Sequence, residues 1–175
     1  APPSKSIEMP PTLLARHVFL TGQPGIGKTT LACAAVVPGS CGFFTEERRN
    51  ATGEREGFDV VVPASGARAQ LAAVGPGRAS VGKYAVDVAM FEQLALPSLE
   101  DALSAPLTLI DEVGKMELFS EAFLPRVLEI LDSAGATVLG TLPTPRYGRT
   151  IPAVEAIRSR ADTAVLKLTK ANRDE

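Results

Sequence analysis

The sequence predicts an α/β fold, a three-layer αβα sandwich whose central sheet is mostly parallel with antiparallel additions. Three observations carry that prediction. Short apolar runs bounded by turn residues alternate with segments of helical period, the pattern of strand–helix–strand crossovers. Two of the runs, Val18-Phe-Leu20 and Leu107-Thr-Leu-Ile110, lead directly into a glycine-rich loop and an acidic pair. In such folds the C-terminal ends of parallel strands carry the site. A length of 175 residues with 45% hydrophobic content suits one well-buried core and is too short for two large domains.

Each element follows in turn. His17 to Thr21 is a short apolar strand, and the helix after the glycine loop runs from about Lys28 to Val37, stopped by Pro38-Gly-Ser40. Gly42-Phe-Phe-Thr-Glu-Glu47 reads as a strand, Asn50-Ala-Thr-Gly-Glu54 as a turn, and Gly57 to Val62 as the antiparallel return. Ala67 to Val74 and Tyr84 to Val88 read as two further short strands. Phe91 to Leu103 suggests helical turns, with Pro97 at a first helical position. Leu107 to Glu112 is a continuous apolar run closed by two carboxylates, as in a buried parallel strand. Met116 to Ala134 has a helical period that Pro125 interrupts, giving a short helix and then a longer one. Ala136 to Leu142 is a buried strand, Ile151 to Arg160 a helix, and Thr163 to Leu168 a final strand.

Composition excludes several functions. The net charge is −2 and the pI about 5.6, with no run of Lys or Arg longer than two, so nucleic acid is not an expected partner. No apolar stretch approaches the roughly 20 residues of a membrane helix. Cys33 and Cys41 are separated by seven residues, with His17 the single histidine, which indicates neither a zinc site nor a disulfide framework. Two reduced thiols point to a cytoplasmic setting. Residues 1–14 are proline-rich and read as a flexible leader or an expression remnant, with Met9 an alternative native start; organelle targeting is therefore open. Residues 15–175 are read as one domain and as a monomer.

Gly22-Gln-Pro-Gly-Ile-Gly-Lys-Thr-Thr30 spells G-x-x-x-x-G-K-T, a P-loop. Glycines let successive N–H groups turn toward a phosphate chain, Lys28 reaches the β and γ oxygens, and the Thr29 hydroxyl suits Mg²⁺. Asp111, closing an apolar strand, has the character of a Walker B carboxylate that holds the same Mg²⁺. Its neighbour Glu112 is placed to take a proton from, or orient, the water that attacks the γ-phosphorus. Lys115 is either a counter-charge for the transferred phosphoryl group or a surface lysine, and Glu117 either a helix N-terminal carboxylate or a partner for Lys115. Thr141 is either a hydroxyl placed to sense the γ-phosphate or a plain strand threonine. Arg146 and Arg149 lie in a loop that offers either an arginine finger in cis or a solvated turn. Glu46 and Lys83 are charged residues that spacing alone does not place.

Several blocks together resemble one family. Ala15 to Gly22 through Thr30, Gly42 to Glu47, Gly57-Phe-Asp-Val-Val61, Val81-Gly-Lys-Tyr84, Phe91 to Pro97, Asp111-Glu-Val-Gly-Lys-Met-Glu-Leu-Phe-Ser120 and Thr169-Lys-Ala-Asn-Arg-Asp174 are similar to the cancer-related nucleoside-triphosphatases and their small thermophile relatives. The resemblance implies a RecA-like P-loop NTPase fold and slow, Mg²⁺-dependent hydrolysis of several nucleoside triphosphates, ATP and GTP among them, to the diphosphate and phosphate. It places nucleotide contacts on Gly22, Gln23, Pro24, Gly25, Ile26, Gly27, Lys28, Thr29 and Thr30, and on Leu107, Thr108, Leu109, Ile110, Asp111, Glu112, Val113 and Gly114. Lys28, Glu112 and Lys115 are then the catalytic candidates, and Thr29 and Asp111 the metal candidates. Asn172 and its neighbours are placed near the base. The sequence departs from the family in a shortened helix after the P-loop, in Pro125, and in ending at Glu175 where relatives continue into a final helix; base selectivity is the property this touches.

Two other functions compete with a hydrolase. A small-molecule or nucleotide kinase needs an acceptor pocket and an arginine-bearing lid, for which the Arg146 to Arg149 loop is the candidate. A nucleotide-dependent switch needs a partner that reads the bound state. Glu112 beside Asp111 speaks against pure binding.

Overall fold

The structure, a computed structural model, describes residues 15–173; the leader at 1–14 and the closing Asp174 and Glu175 lie outside the described residues. In chain order the elements are β1 (His17–Thr21), α1 (Lys28–Ala34), β2 (Cys41–Arg49), β3 (Arg55–Val61), β4 (Arg68–Val74), β5 (Ser80–Val81), β6 (Tyr84–Val86) and α2 (Val88–Ser98). There follow β7 (Thr108–Ile110), a 3₁₀ turn (Glu117–Phe119), α3 (Phe123–Asp132), β8 (Val138–Thr141), α4 (Pro152–Arg158) and β9 (Thr163–Lys167).

The strands make one sheet in the order β5-β6-β4-β3-β2-β7-β8-β1-β9. The block β2-β7-β8-β1-β9 is parallel. Beyond β2 every pairing is antiparallel. β2 belongs to both parts, pairing Cys41 to Phe43 with β7 and Phe44 onward with β3. Its far half therefore projects past the end of the parallel block.

Alternation along the strands builds two cores. Phe19 and Ile110 enter the larger one, under α2, α3 and α4; Leu20 and Leu109 enter the smaller one with Ala32 of α1. Helices thus cover both faces, one face with α1 and the other with three. Phe43, Phe91 and Phe123 meet edge-on at centroid distances of 5.5, 5.8 and 5.2 Å, tying β2 to α2 and α3. Each such pair adds about 0.5–1.5 kcal/mol beyond its burial.

Several boundaries differ from the sequence reading, among them the end of α2 at Ser98, not Leu103. α1 stops at Ala34, not Val37, because the N–H groups of Ala35 and Val36 bond back to Ala32 and Cys33 ahead of Pro38. α2 starts at Val88 because the Asp87 side chain accepts the Met90 N–H at 3.0 Å, an N-cap that also ends β6 at Val86. Pro97 consequently falls in the last turn of α2, not at a helix start. The two-residue β5 was not foreseen. Pro125 sits in the first turn of α3, where its missing N–H has no intrahelical partner to lose, so it does not interrupt the helix; the short turn and the longer helix are separated instead at residues 120–122.

Candidate functional site

The P-loop leaves β1 at the C-terminal edge of the parallel block. Gly27 at the N-cap of α1 has φ of +109°, a left-handed conformation that a side chain would strain. Lys28 curls back over its own loop, donating from Nζ to the carbonyls of Gly22 at 3.0 Å and Gln23 at 3.3 Å. Gln23, Pro24, Gly25 and Thr30 are exposed, and Ile26 is buried against α1 and Leu168.

Asp111 stands across from this loop, one residue past β7, and is 2% exposed. Thr29 Oγ1 donates to its Oδ2 at 2.7 Å, and Thr141 Oγ1 donates to its Oδ1. The Thr45 N–H also points at it. Burial raises the Asp111 carboxyl above the usual range, while these donors and Lys28 pull it back. β1, β7 and β8 thereby meet in one hydrogen-bonded cluster, because neighbouring parallel strands end at the same edge.

Glu112 is pushed up to about 7 by burial first and by Asp111 second, with Lys28 and Arg146 opposing. Arg146 is exposed and Tyr147, at 99% exposure, forms the tip of the turn between Arg146 and Arg149. Thr144 anchors that loop by donating to the Gly22 carbonyl at 2.7 Å. The arginine loop is thus tied to the P-loop itself. Glu117 is buried as well, at 2% exposure, and is held well above the usual range by burial and by Glu112.

Other predicted positions fall elsewhere. Thr108, Leu109 and Ile110 are buried within the sheet and Leu107 is half-buried beside them, so they carry Asp111 to Gly114 to the loop without facing it. Lys115 is exposed, on the wall of a cleft of about 360 Å³ formed with Ser80, Val81, Leu118, Phe119 and Ile151. Glu117 accepts the Gly114 N–H instead of pairing with Lys115. Glu46 pairs with Arg68 on the antiparallel extension, and the Lys83 ammonium lies 5.5 Å from the Tyr84 ring centre. Asn172 closes its own turn, its Oδ1 accepting the Thr169 N–H at 2.7 Å and its Nδ2 donating to Lys167 O at 3.0 Å.

A family model described as NTPase matches residues 17–175. The chain belongs to the NTPase family. The cancer-related nucleoside-triphosphatase of Homo sapiens is 48% identical over 178 residues, with 92% of each chain covered. The crystal structure of THEP1 from the hyperthermophile Aquifex aeolicus matches with a TM-score of 0.80 at 34% identity, covering 90% of this chain and 92% of that one. The solution structure of a human cancer-related nucleoside triphosphatase gives 0.73 at 47% identity, covering 91% and 92%.

For this member of the NTPase family, the block from Asp111 to Ser120 has a physical reading residue by residue. Asp111 meets the P-loop, Glu117 holds Gly114, and Ser120 accepts the Phe123 N–H to start α3 while donating to Glu92 of α2 at 2.6 Å. Glu117 does stand at the N-terminal end of its 3₁₀ turn, one of the two readings the sequence offered, but its hold on Gly114 and the role of Thr144 escaped that reading. A carboxylate five positions past Glu112 and a threonine two past Leu142 carry no local signal, since what they touch is fixed by the sheet.

Proposed function

We propose that the protein hydrolyses nucleoside 5′-triphosphates to the diphosphate and phosphate, with Mg²⁺ as cofactor and water as acceptor. The hydrogen bond that joins Thr29 of the P-loop to Asp111 carries this reading. The names of its relatives, nucleoside-triphosphatases, support it. Thr29 and Asp111 present hard oxygen donors 2.7 Å apart, a set that fits Mg²⁺ and not a soft metal. These two residues would hold the ion, which supplies charge neutralisation at the phosphate oxygens when bound.

Lys28 is already at the loop mouth and offers its ammonium to the β and γ oxygens. Glu112, pushed up to about 7, is poised to accept a proton near neutral pH and so to orient the attacking water. Arg146, whose charge reaches Glu112, is the candidate counter-charge to the transferred phosphoryl group. Lys115 lies on the wall of its own cleft and serves at most at the margin of the reaction. Broad base tolerance, ATP and GTP included, is supported by Asn172 spending its amide on its own turn. Free Cys33 and Cys41 fit a cytoplasmic setting. Among the described residues no helix is long and apolar enough to cross a membrane. The reading is completed by a monomer without nucleic-acid partners.

Phosphate release from ATP, GTP, CTP and UTP, with and without Mg²⁺ and with no added acceptor, tests the proposal. Glu112→Gln should lower kcat about 10²- to 10⁴-fold while triphosphate still binds. Release that depends on an added acceptor, or is indifferent to Mg²⁺, would defeat it.

A further inference from the structure

Three carboxyl groups gather past the end of β7, and phosphate chemistry employs two of them. The third, Glu117, is 2% exposed at the start of the 3₁₀ turn. Among the described residues its hydrogen-bond donors are backbone N–H groups, its own and that of Gly114, not a lysine or arginine. Its Oε2 takes the Gly114 N–H at 3.2 Å, and the Leu118 N–H donates to the Gly114 carbonyl at 3.0 Å. Both polar groups of Gly114 are therefore gripped by one turn. One residue earlier, the Val113 N–H donates to Thr141 O at 3.1 Å, fixing the segment to β8.

Gly114 in turn is the surface on which Glu112 rests. A Cβ built on Gly114 would fall 2.5 Å from Glu112 Oε1 and 3.0 Å from Glu117 Oε2, so both side chains close on the same side of one Cα. Any larger residue would drive Glu112 away. We propose that Glu117 is a positioning residue: by holding the Gly114 N–H it fixes the floor against which the Glu112 carboxyl is set toward the phosphates. This rests on the hydrolase reading, with Glu112 as the water-orienting group. The interaction asks only for an acceptor oxygen at Glu117, which a glutamine amide also supplies.

Three variants test this against a control. Glu117→Ala should lower kcat about 10- to 100-fold, the scale of a small misplacement of a catalytic group, with KM and the Kd of a non-hydrolysable triphosphate analogue little changed. Glu117→Gln should restore most of the rate. Gly114→Ala, which leaves Glu117 in place and displaces Glu112, should mimic Glu117→Ala and decides the matter if that variant does not fold. Wild-type kcat in Glu117→Ala or Gly114→Ala, equal losses in the alanine and glutamine variants at position 117, or a loss confined to KM, each overturns the positioning role. The control is Glu112→Gln. If it turns over normally, the water-orienting role of Glu112 falls and the proposal with it; if it is inactive beside a fully active Glu117→Ala, the positioning role alone falls.

Discussion

The two ends of the parallel block treat charge in opposite ways. At the C-terminal end, Asp111 and Glu117 are buried with the half-buried Glu112 crowded between them, and loss of water raises all three above the usual carboxylate range. At the N-terminal end Asp162 takes hydrogen bonds from Arg160 and Arg16 and is held well below it. Arg160 also reaches Asp132 and the Leu131 carbonyl, and Arg16 the carbonyls of Leu131 and Ser133. One end is satisfied and stitches β1 and β9 to the end of α3. The other crowds three carboxyl groups together, with no arginine among the described residues paired to them by a hydrogen bond, at the edge where phosphate binding is proposed. The difference teaches that this fold is anchored at one end of its sheet and electrostatically strained at the other.

Neutralising the crowded end should break activity and relieve strain together. Asp111→Asn removes a proposed metal ligand, so phosphate release should fall by about 10³-fold or more. It also removes one of three clustered negative charges, so Tm at pH 8 should not fall and is expected to rise. Thermal melts alongside phosphate release decide it. A variant that loses both activity and Tm would show Asp111 to be a structural carboxylate, and the contrast between the ends would fail.

The opposite signature is expected at the satisfied end. Asp162→Ala strips Arg16 and Arg160 of a shared partner that is 30% exposed, so solvent screening trims the loss to about 2 kcal/mol. For a chain of this size that is roughly 4–8 °C in Tm. kcat per folded molecule should stay within about twofold, since effects at well-separated sites add independently. A larger fall in kcat would couple the two ends.

How much of this was legible in the sequence divides along the same line. The P-loop and Asp111 were readable because their chemistry is local: a glycine spacing and a carboxylate ending an apolar run. The parallel strands were readable because burial on both faces writes continuous apolar runs, as in β7. Glu117 was not, because its burial depends on how the 3₁₀ turn folds back onto Gly114. The start of α2 was missed for a different reason. Asp87 was absorbed into a strand reading that ran to Val88, although an Asp ahead of an apolar helical segment is an N-cap signal. Arg16, Arg160 and Asp162 gave no hint of their knot, which joins residues more than 140 positions apart.

Titration separates the ends by sign. Glu112 has its folded-state pKa raised from 4.5 to about 7, so it favours folding below pH 4.5 and that contribution is lost as pH rises toward 7. Glu112→Gln should therefore gain Tm over the wild type at pH 8 and little or none at pH 5. Equal Tm differences at both pH values would mean that Glu112 is not destabilised by its surroundings.

His17 supplies the smallest effect and the opposite sign. The ring is fully buried at the N-terminal end of β1, with Nδ1 accepting the Val138 N–H at 3.2 Å and Nε2 facing the Leu131 carbonyl at 3.1 Å. That pair of partners selects the neutral tautomer with its proton on Nε2, since a second proton on Nδ1 would confront the Val138 donor. Burial is the largest cause lowering the His17 pKa, and Arg16 and Arg160 push the same way, against the Leu131 carbonyl and Asp162. The unfolded chain, at its ordinary value of 6.5, binds this proton more readily than the folded one. The stabilisation is therefore complete above pH 6.5 and is lost as pH falls below it. Across pH 6.5 to 5 this loss runs against the larger gain from protonating Glu112, so it is read as a difference between variants. His17→Asn should be less stable at pH 8, having lost packing and a hydrogen bond, yet recover part of that deficit against the wild type as pH falls across that window. A Tm difference that stays constant from pH 8 to 5 would place the acid sensitivity elsewhere and remove the imidazole from the account of how this end is held.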